Sequence, residues 1–111
     1  MANYHFENLC FLIADDNPHM RKLVSAILQA FGVVNIIEVA SGEDAWQMLC
    51  QKNTDIAIID WQMEAMSGPE LVYKLRNDPA TPNPFLPVIM LTGHSQVENV
   101  RHARDCGANE Y

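Results

Sequence analysis

Cysteine and positive charge are both scarce in this chain, and each scarcity excludes a class of protein. Three cysteines, Cys10, Cys50 and Cys106, lie far apart in apolar or helix-end contexts. Their odd number and wide spacing favour reduced, buried thiols over a disulfide framework or a zinc site. Lys and Arg number 7 against 14 Asp and Glu, for a formal net charge of −7. Because binding to the nucleic-acid backbone requires basic side chains that displace counterions, we expect no direct nucleic-acid contact.

Long apolar runs are missing as well. No window of the sequence approaches the roughly 20 apolar residues that span a bilayer. Residues 1–8 also lack the positive region and the apolar stretch of a signal peptide. We therefore expect no membrane contact and a cytoplasmic location.

What the chain does contain is enough hydrophobic material for one core, since 49% of its 111 residues are hydrophobic. We expect a single domain over residues 1–111, with residues 1–8 as an N-terminal tail. Short apolar runs alternate with segments of helical period, which predicts an α/β fold with a parallel sheet covered on both faces.

The predicted strands cover 10–14, 35–39, 55–60 and 87–91, and the predicted helices open near Pro18, Ser41, Pro69 and Ser95. In the first helix, which Gly32 ends, the positions at helical spacing that predict the buried face are Met20, Val24, Ile27, Leu28 and Phe31. The last helix is expected to end near Cys106 and Gly107.

Polar residues stand at the carboxyl ends of three of the predicted strands. Asp15 and Asp16 come after the first strand, Asp60 ends the third, and Thr92 follows the fourth. The carboxyl ends of parallel strands are where open α/β sheets build ligand sites. We therefore predict a cation-binding carboxylate cluster beside a phosphate-accepting Asp60, with Thr92 in reach of the group on that aspartate.

The cation is predicted from the charge of the cluster. Carboxylates about 4 Å apart repel by about 1 kcal/mol per pair in water and by about 4 kcal/mol at an effective dielectric near 20. A hard divalent cation that takes oxygen ligands and keeps several waters relieves this repulsion, which indicates Mg²⁺. Phosphoryl transfer needs positioning and charge neutralisation, so a metal and one in-line carboxylate suffice without a catalytic histidine.

Each of these residues also has a purely structural interpretation. Asp16 or Asn17 can cap the first helix, and Thr92 can be an ordinary strand-end residue. Trp61 is interpreted as a loop residue, the serines before predicted helices as caps, and the four histidines as surface residues without metal-ligand spacing. The pairing of the acidic residues with Asp60 favours the functional interpretation.

The chain resembles the receiver domain of two-component response regulators over essentially its whole length. The resemblance lies in Asp15-Asp16, Asp60, Met63, Gly68, Thr92-Gly93, Cys106-Gly107-Ala108 and Tyr111. It implies a doubly wound, flavodoxin-like fold with strand order 2-1-3-4-5, in which Asp60 takes a phosphoryl group from a phosphohistidine of a sensor kinase. The metal ligands that it implies are Asp15, Asp16, Asp60 and the backbone carbonyl of Gln62. The switch residues that it implies are Thr92 and Tyr111.

The resemblance also implies partners. These are a sensor histidine kinase or phosphotransfer protein upstream, and a downstream protein target or a covalently linked output domain. Such a domain catalyses only its own phosphorylation and dephosphorylation, so we do not expect an enzyme. Residues 108–111 resemble a fifth strand that is cut short. We therefore expect the natural polypeptide to continue, and an unpaired fourth strand would favour a homodimer.

Departures from the family pattern leave alternatives open. Glu64 stands where the family has proline and adds a carboxylate near the metal, and Gly93 is a second candidate modulator. The family's lysine, expected a few residues past Tyr111, is absent from the sequence, so we expect Mg²⁺ binding with poor phosphate acceptance. The first alternative is a degenerate receiver that acts as a constitutive interaction module. The second is an aspartate-nucleophile phosphatase of the haloacid-dehalogenase type.

Overall fold

A four-stranded parallel sheet organises the protein, and the computed structural model describes residues 6–91 of it. The strands are β1 (Cys10–Ala14), β2 (Asn35–Val39), β3 (Ile56–Asp60) and β4 (Val88–Leu91). Their order is β2-β1-β3-β4, and all three pairings are parallel. This order confirms the predicted doubly wound fold. The predicted fifth strand lies outside the described residues.

Two strands begin one residue later than the sequence predicted. The Asp55 N–H donates to the Cys10 carbonyl oxygen at 2.8 Å, and the Asp55 carboxylate accepts from the Cys10 N–H at 2.7 Å. Asp55 therefore closes the start of the β1–β3 pair with its side chain as well as its backbone. Pro87 precedes β4 and only accepts, from the Ala57 N–H at 3.0 Å, because proline has no N–H to donate to a sheet.

Three α-helices connect the strands: α1 (Pro18–Ala30), α2 (Gly42–Gln51) and α3 (Gly68–Asn77). Each follows a polar cap, because the side chains of Asn17, Ser41 and Ser67 accept N–H groups of the first turn. The serine caps confirm the sequence prediction. Pro18 and Pro69 lie in the first turns of α1 and α3, where a missing N–H removes no helical hydrogen bond.

Alternating strand residues supply two separate cores, one on each face of the sheet. The larger core joins the sheet to α2 and α3; its buried residues include Leu12, Ala14, Ala57, Ile59, Val88 and Met90 from the strands and Ala45, Leu49, Leu71, Val72 and Leu75 from the helices. The smaller core is built on Phe11, Val33 and Ile58. Strands that are covered on both faces explain the near-continuous apolar runs in the sequence.

The α1 helix covers the smaller core with a different face from the predicted one. Val24 and Leu28 pack against the sheet as expected, but Met20, Ile27 and Phe31 are 42%, 49% and 67% exposed. The predicted face was therefore wrong at these three positions.

The buried face of α1 is rotated toward its polar residues. Ser25 is 5% exposed, and Arg21 has a side chain that is only 19% exposed. Both lie on the same side of the helix as Val24 and Leu28, since positions three and four apart share a face. A hydrophobic pattern alone could not assign this rotation, because a serine and an arginine occupy the inner side.

The remaining predictions concern the termini and the cysteines. Residues Phe6–Asn8, inside the predicted N-terminal tail, form a short 3₁₀ helix. Cys10 and Cys50 are free thiols, but Cys50 is exposed, so the prediction of buried thiols was wrong there. Cys106 and the predicted final helix from Ser95 lie outside the described residues. Within residues 6–91, no helix is long and apolar enough to cross a membrane.

Candidate functional site

Three carboxylates meet at the carboxyl ends of the two central strands. One oxygen from each of Asp15, Asp16 and Asp60 can be chosen so that all three lie within 4.8 Å of one another. The strand register explains this meeting. Ala14, the last residue of β1, pairs with Ile59, so Asp15 and Asp60, the last residue of β3, lie side by side at this edge of the sheet.

Asp15 is the buried member of the cluster, at 2% exposure. Its N–H donates to the Val39 carbonyl oxygen at 3.1 Å. Its carboxylate accepts from the Asn17 N–H at 2.9 Å, and its carbonyl oxygen accepts from Nη1 of Arg21 at 2.7 Å. The backbone and the side chain of Asp15 are therefore both held in place by neighbours.

Asn17, not Asp16, caps α1. The Asn17 Oδ1 accepts from the N–H groups of His19 at 2.9 Å and Met20 at 3.2 Å. Of the two residues considered as the helix cap, Asp16 and Asn17, it is therefore Asn17 that has this structural role. Asp16 is exposed and contributes its carboxylate to the cluster.

Asp60 is half-buried, and its carboxyl group has an altered proton affinity. Burial, together with the negative charges of Asp15 and Asp16, raises its pKa from the ordinary 3.8 to about 6. Hydrogen bonds from the backbone of Trp61 and Gln62 act in the opposite direction. A carboxylate that resists ionisation in this way is one whose negative charge is poorly compensated by its surroundings.

The loop after Asp60 is held close to the end of β3. The Trp61 N–H donates to the Leu91 carbonyl oxygen at 2.8 Å, and the Trp61 carbonyl oxygen accepts from the Gly68 N–H at 2.9 Å. A Cβ atom on Gly68 would overlap the Asp60 carbonyl oxygen and come within 2.9 Å of the Met90 sulfur. Glycine is therefore required where α3 starts beside the end of β3.

The same loop carries the predicted departure from the family pattern. Glu64 is exposed, and its carboxylate is not part of the acidic group found among the described residues. The residue after it, Ala65, has a φ of 66°, and the Met66 N–H donates to the Glu64 carbonyl oxygen at 2.8 Å. Met63 instead points inward and is 8% exposed. The loop thus makes a tight, left-handed turn at a residue with a side chain.

The other residues predicted for the site divide into two groups. Gln62 is exposed and lies beside Asp60, to which its backbone is hydrogen-bonded. Thr92, Gly93 and Tyr111 lie outside the described residues, so their roles stay predictions.

One residue at the site was not predicted from the sequence. Arg21 reaches the Asp15 carbonyl from the second turn of α1. The only signal was an arginine six positions after the aspartate, with Glu38 on the neighbouring strand as a partner of opposite charge. That partnership is visible only once β2 lies beside β1.

The fold and the acidic cluster together define a flavodoxin-like α/β domain with an oxygen-ligand site at its carboxyl-terminal edge. The family model for the response regulator receiver domain matches residues 11–111. The chain therefore belongs to the response regulator receiver family. Receiver domains of response regulators are signalling domains. This membership argues against the haloacid-dehalogenase alternative.

Chemotaxis proteins are among the similar sequences. The chain is 33% identical to chemotaxis protein CheY1 of Helicobacter pylori over 101 residues, which cover 90% of this chain and 80% of that protein. It is 33% identical to chemotaxis protein CheY-3 of Vibrio cholerae over 105 residues, or 95% of this chain and 79% of that protein. These similarities support a CheY-like receiver.

Solved receiver structures superpose on the chain. The receiver domain of the Francisella response regulator 1452 matches with a TM-score of 0.83 and 26% identity, over 94% of this chain and 82% of that one. Chemotaxis response regulator CheY4 of Vibrio cholerae matches with a TM-score of 0.81 and 28% identity, over 93% of this chain and 84% of that one. The architecture is therefore that of a receiver domain.

Proposed function

We propose that this receiver domain accepts a phosphoryl group on Asp60 and binds Mg²⁺ at Asp15, Asp16, Asp60 and the backbone carbonyl of Gln62. The observation that carries the proposal is the acidic cluster, whose three oxygens lie within 4.8 Å of one another. Two oxygens on opposite sides of one Mg²⁺ are about 4.2 Å apart at the usual metal–oxygen distance. Small side-chain rotations, or a bridging water, would let the cluster hold one ion.

The chemistry of the donor set fits a hard cation. All three side chains are carboxylates, and burial together with the charges of Asp15 and Asp16 raises the pKa of Asp60, so a cation among them would relieve their repulsion. Bound Mg²⁺ would supply charge neutralisation for the carboxylates and for the oxygens of an incoming phosphoryl group. Because protons compete with the metal at Asp60, Mg²⁺ affinity should rise with pH through about 6 and then level off.

The transfer step uses Asp60 as the nucleophile. A carboxylate oxygen of Asp60 forms a bond to phosphorus while the phosphorus–nitrogen bond of the donor's phosphohistidine breaks, and the bonding electron pair stays on the imidazole. With a pKa of about 6, Asp60 is mostly ionised at neutral pH and can attack without a general base.

The response to phosphorylation would pass to the end of β4. Leu91 is the last residue of β4 and pairs with Asp60 in the sheet, and Thr92 follows it in the chain. We propose Thr92 and Tyr111 as the switch residues, with Gly93 and Glu64 as modulators. The phosphoryl group brings about two negative charges and three acceptor oxygens, which can draw a neighbouring hydroxyl toward it.

The proposal places the domain in the cytoplasm, between a sensor histidine kinase or phosphotransfer protein and a downstream target or linked output domain. The test uses tryptophan fluorescence. The chain has two tryptophans, so Trp46→Phe leaves Trp61, next to Asp60, as the only one. Mg²⁺ followed by beryllofluoride should change this signal in two saturable steps.

The matched control is Asp60→Asn in the same Trp46→Phe background. It should lose the beryllofluoride step and most of the Mg²⁺ step, and mass spectrometry should find no phosphoryl group on it after incubation with acetyl phosphate. A signal that survives in the control would place the ligand elsewhere. A Trp46→Phe protein that responds to neither ligand would favour the constitutive interaction module instead.

A further inference from the structure

Asp15 is held from two neighbouring elements at once. Its N–H is bonded to Val39 of β2 at 3.1 Å, and its carbonyl oxygen accepts from Nη1 of Arg21 on α1 at 2.7 Å. The side chain of Arg21 thus binds the backbone of the acidic pair directly. A short, charge-assisted bond of this kind is among the stronger hydrogen bonds in proteins.

Arg21 is itself held by an acidic partner. Its Nε lies 3.7 Å from Oε1 of Glu38 on β2, and Glu38 also lies 3.4 Å from Nζ of Lys22. The side chain of Arg21 is 19% exposed, whereas that of Lys22 is 74% exposed. Arg21 therefore links β2, α1 and the Asp15 turn through a guanidinium group with several donors, while Lys22 contacts Glu38 from the solvent side.

The acidic cluster needs such a link because its members repel one another. Asp15, Asp16 and Asp60 bring three carboxylate oxygens within 4.8 Å of one another, where like charges repel. The exposed Asp16 lies on a turn whose outward movement would relieve this repulsion. Moving the turn would require the Asp15 carbonyl to leave its arginine donor.

We propose that Arg21 is a positioning residue for the acidic cluster. Its guanidinium group contacts both the Asp15 carbonyl oxygen and Glu38 of β2. This link keeps the Asp15 and Asp16 carboxylates directed at Asp60. The inference rests on the proposed function, since the cluster is taken to hold Mg²⁺. Removing a residue that holds a metal ligand in place typically lowers metal affinity by about 10-fold to 100-fold.

The electrostatic effect and the positioning effect of losing Arg21 predict opposite changes in Mg²⁺ affinity. Removing one positive charge makes the cluster more negative and should strengthen Mg²⁺ binding. Removing the hydrogen bond releases the turn and should weaken it. The sign of the change therefore separates a positioning role from a simple electrostatic one.

The experiment compares Arg21→Met, Arg21→Lys and Lys22→Met, all with Trp46→Phe. Mg²⁺ is titrated and followed by Trp61 fluorescence. Arg21→Met should bind Mg²⁺ about 10-fold more weakly than the parent, and Lys22→Met should bind it equally well or slightly more tightly. Arg21→Lys keeps the charge but lacks the planar fork, so it should also bind more weakly and carries the test if Arg21→Met does not fold.

A second measurement needs no metal. The Asn17 N–H donates to the Asp15 carboxylate at 2.9 Å, so a released turn should speed amide exchange at Asn17 in both Arg21 variants and leave Lys22→Met unchanged. The inference is overturned if the Arg21 variants match Lys22→Met in Mg²⁺ affinity and in Asn17 exchange. If the parent protein itself gives no Mg²⁺ response, the proposed function fails, and amide exchange alone decides the role of Arg21.

Discussion

Replacing Asp60 with asparagine should stabilise the metal-free protein at neutral pH. The folded chain binds the Asp60 proton more tightly than the unfolded chain, because its pKa is about 6 rather than 3.8. Between these values the folded state carries more protons, so its stability falls as pH rises. The stabilisation that comes from protonated Asp60 is thus fully present below pH 3.8 and is lost as pH rises through about 6.

The size of the gain follows from the same two values. A pKa that moves from 3.8 to about 6 corresponds to about 3 kcal/mol at most. Asp60 is only half-buried, so solvent screening reduces this figure, and we expect a gain of about 1 to 2 kcal/mol in the free energy of unfolding. Asparagine keeps the shape of the side chain and removes its charge, so packing should change little.

The assay is urea unfolding of the parent and Asp60→Asn at pH 8 and pH 4, followed by far-ultraviolet circular dichroism. The gain should be present at pH 8 and largely gone at pH 4. Adding Mg²⁺ at pH 8 should narrow the difference, because a ligand stabilises only the protein that binds it.

Asp78→Asn is the control, because the pKa of Asp78 is shifted in the opposite direction from that of Asp60. A hydrogen bond from Lys74, followed by one from the Ala80 N–H, lowers the pKa of Asp78. Its contribution to stability is therefore present at neutral pH and lost as pH falls, so Asp78→Asn should destabilise the protein at pH 8 and have little effect at low pH. Our reasoning about Asp60 is refuted if Asp60→Asn brings no gain at pH 8, or the same gain at both pH values.

Three further substitutions test the loop and its surroundings by urea unfolding. Ala65→Gly should stabilise by about 0.5 to 1 kcal/mol, because φ is 66° there and glycine adopts it without strain; a loss would refute this. Gly68→Ala should destabilise by at least about 2 kcal/mol, since its Cβ would overlap the Asp60 carbonyl; neutrality would contradict it. Lys74→Met should cost about 0.5 to 1 kcal/mol, because Nζ lies 4.5 Å from the Trp46 ring centre and 2.9 Å from the Asp78 carboxylate; no loss would show both contacts to be inert.

Much of the fold could be predicted because its signals are local. The apolar runs of β1 and β3 are buried on both faces and end at polar residues, so their limits are visible within a few residues of sequence. Helix starts were equally clear at Ser41 and Pro69, because caps and first-turn prolines act over three or four positions. The error at α1 arose because hydrophobic spacing does not say which neighbouring element a helix will face.

The candidate site likewise has features that the sequence predicts and features that only the tertiary structure decides. Three aspartates at the ends of central strands are a property of the sequence, since parallel strands must bring their carboxyl ends to one edge. Which of them is buried, which neighbour caps α1, and how far the pKa of Asp60 rises were decided by the tertiary structure. Burial and charge repulsion depend on distances between residues 45 positions apart, and the chain sets those distances only when β3 pairs with β1. The bond from Arg21 to Asp15 likewise requires Glu38, which β2 delivers from another part of the chain.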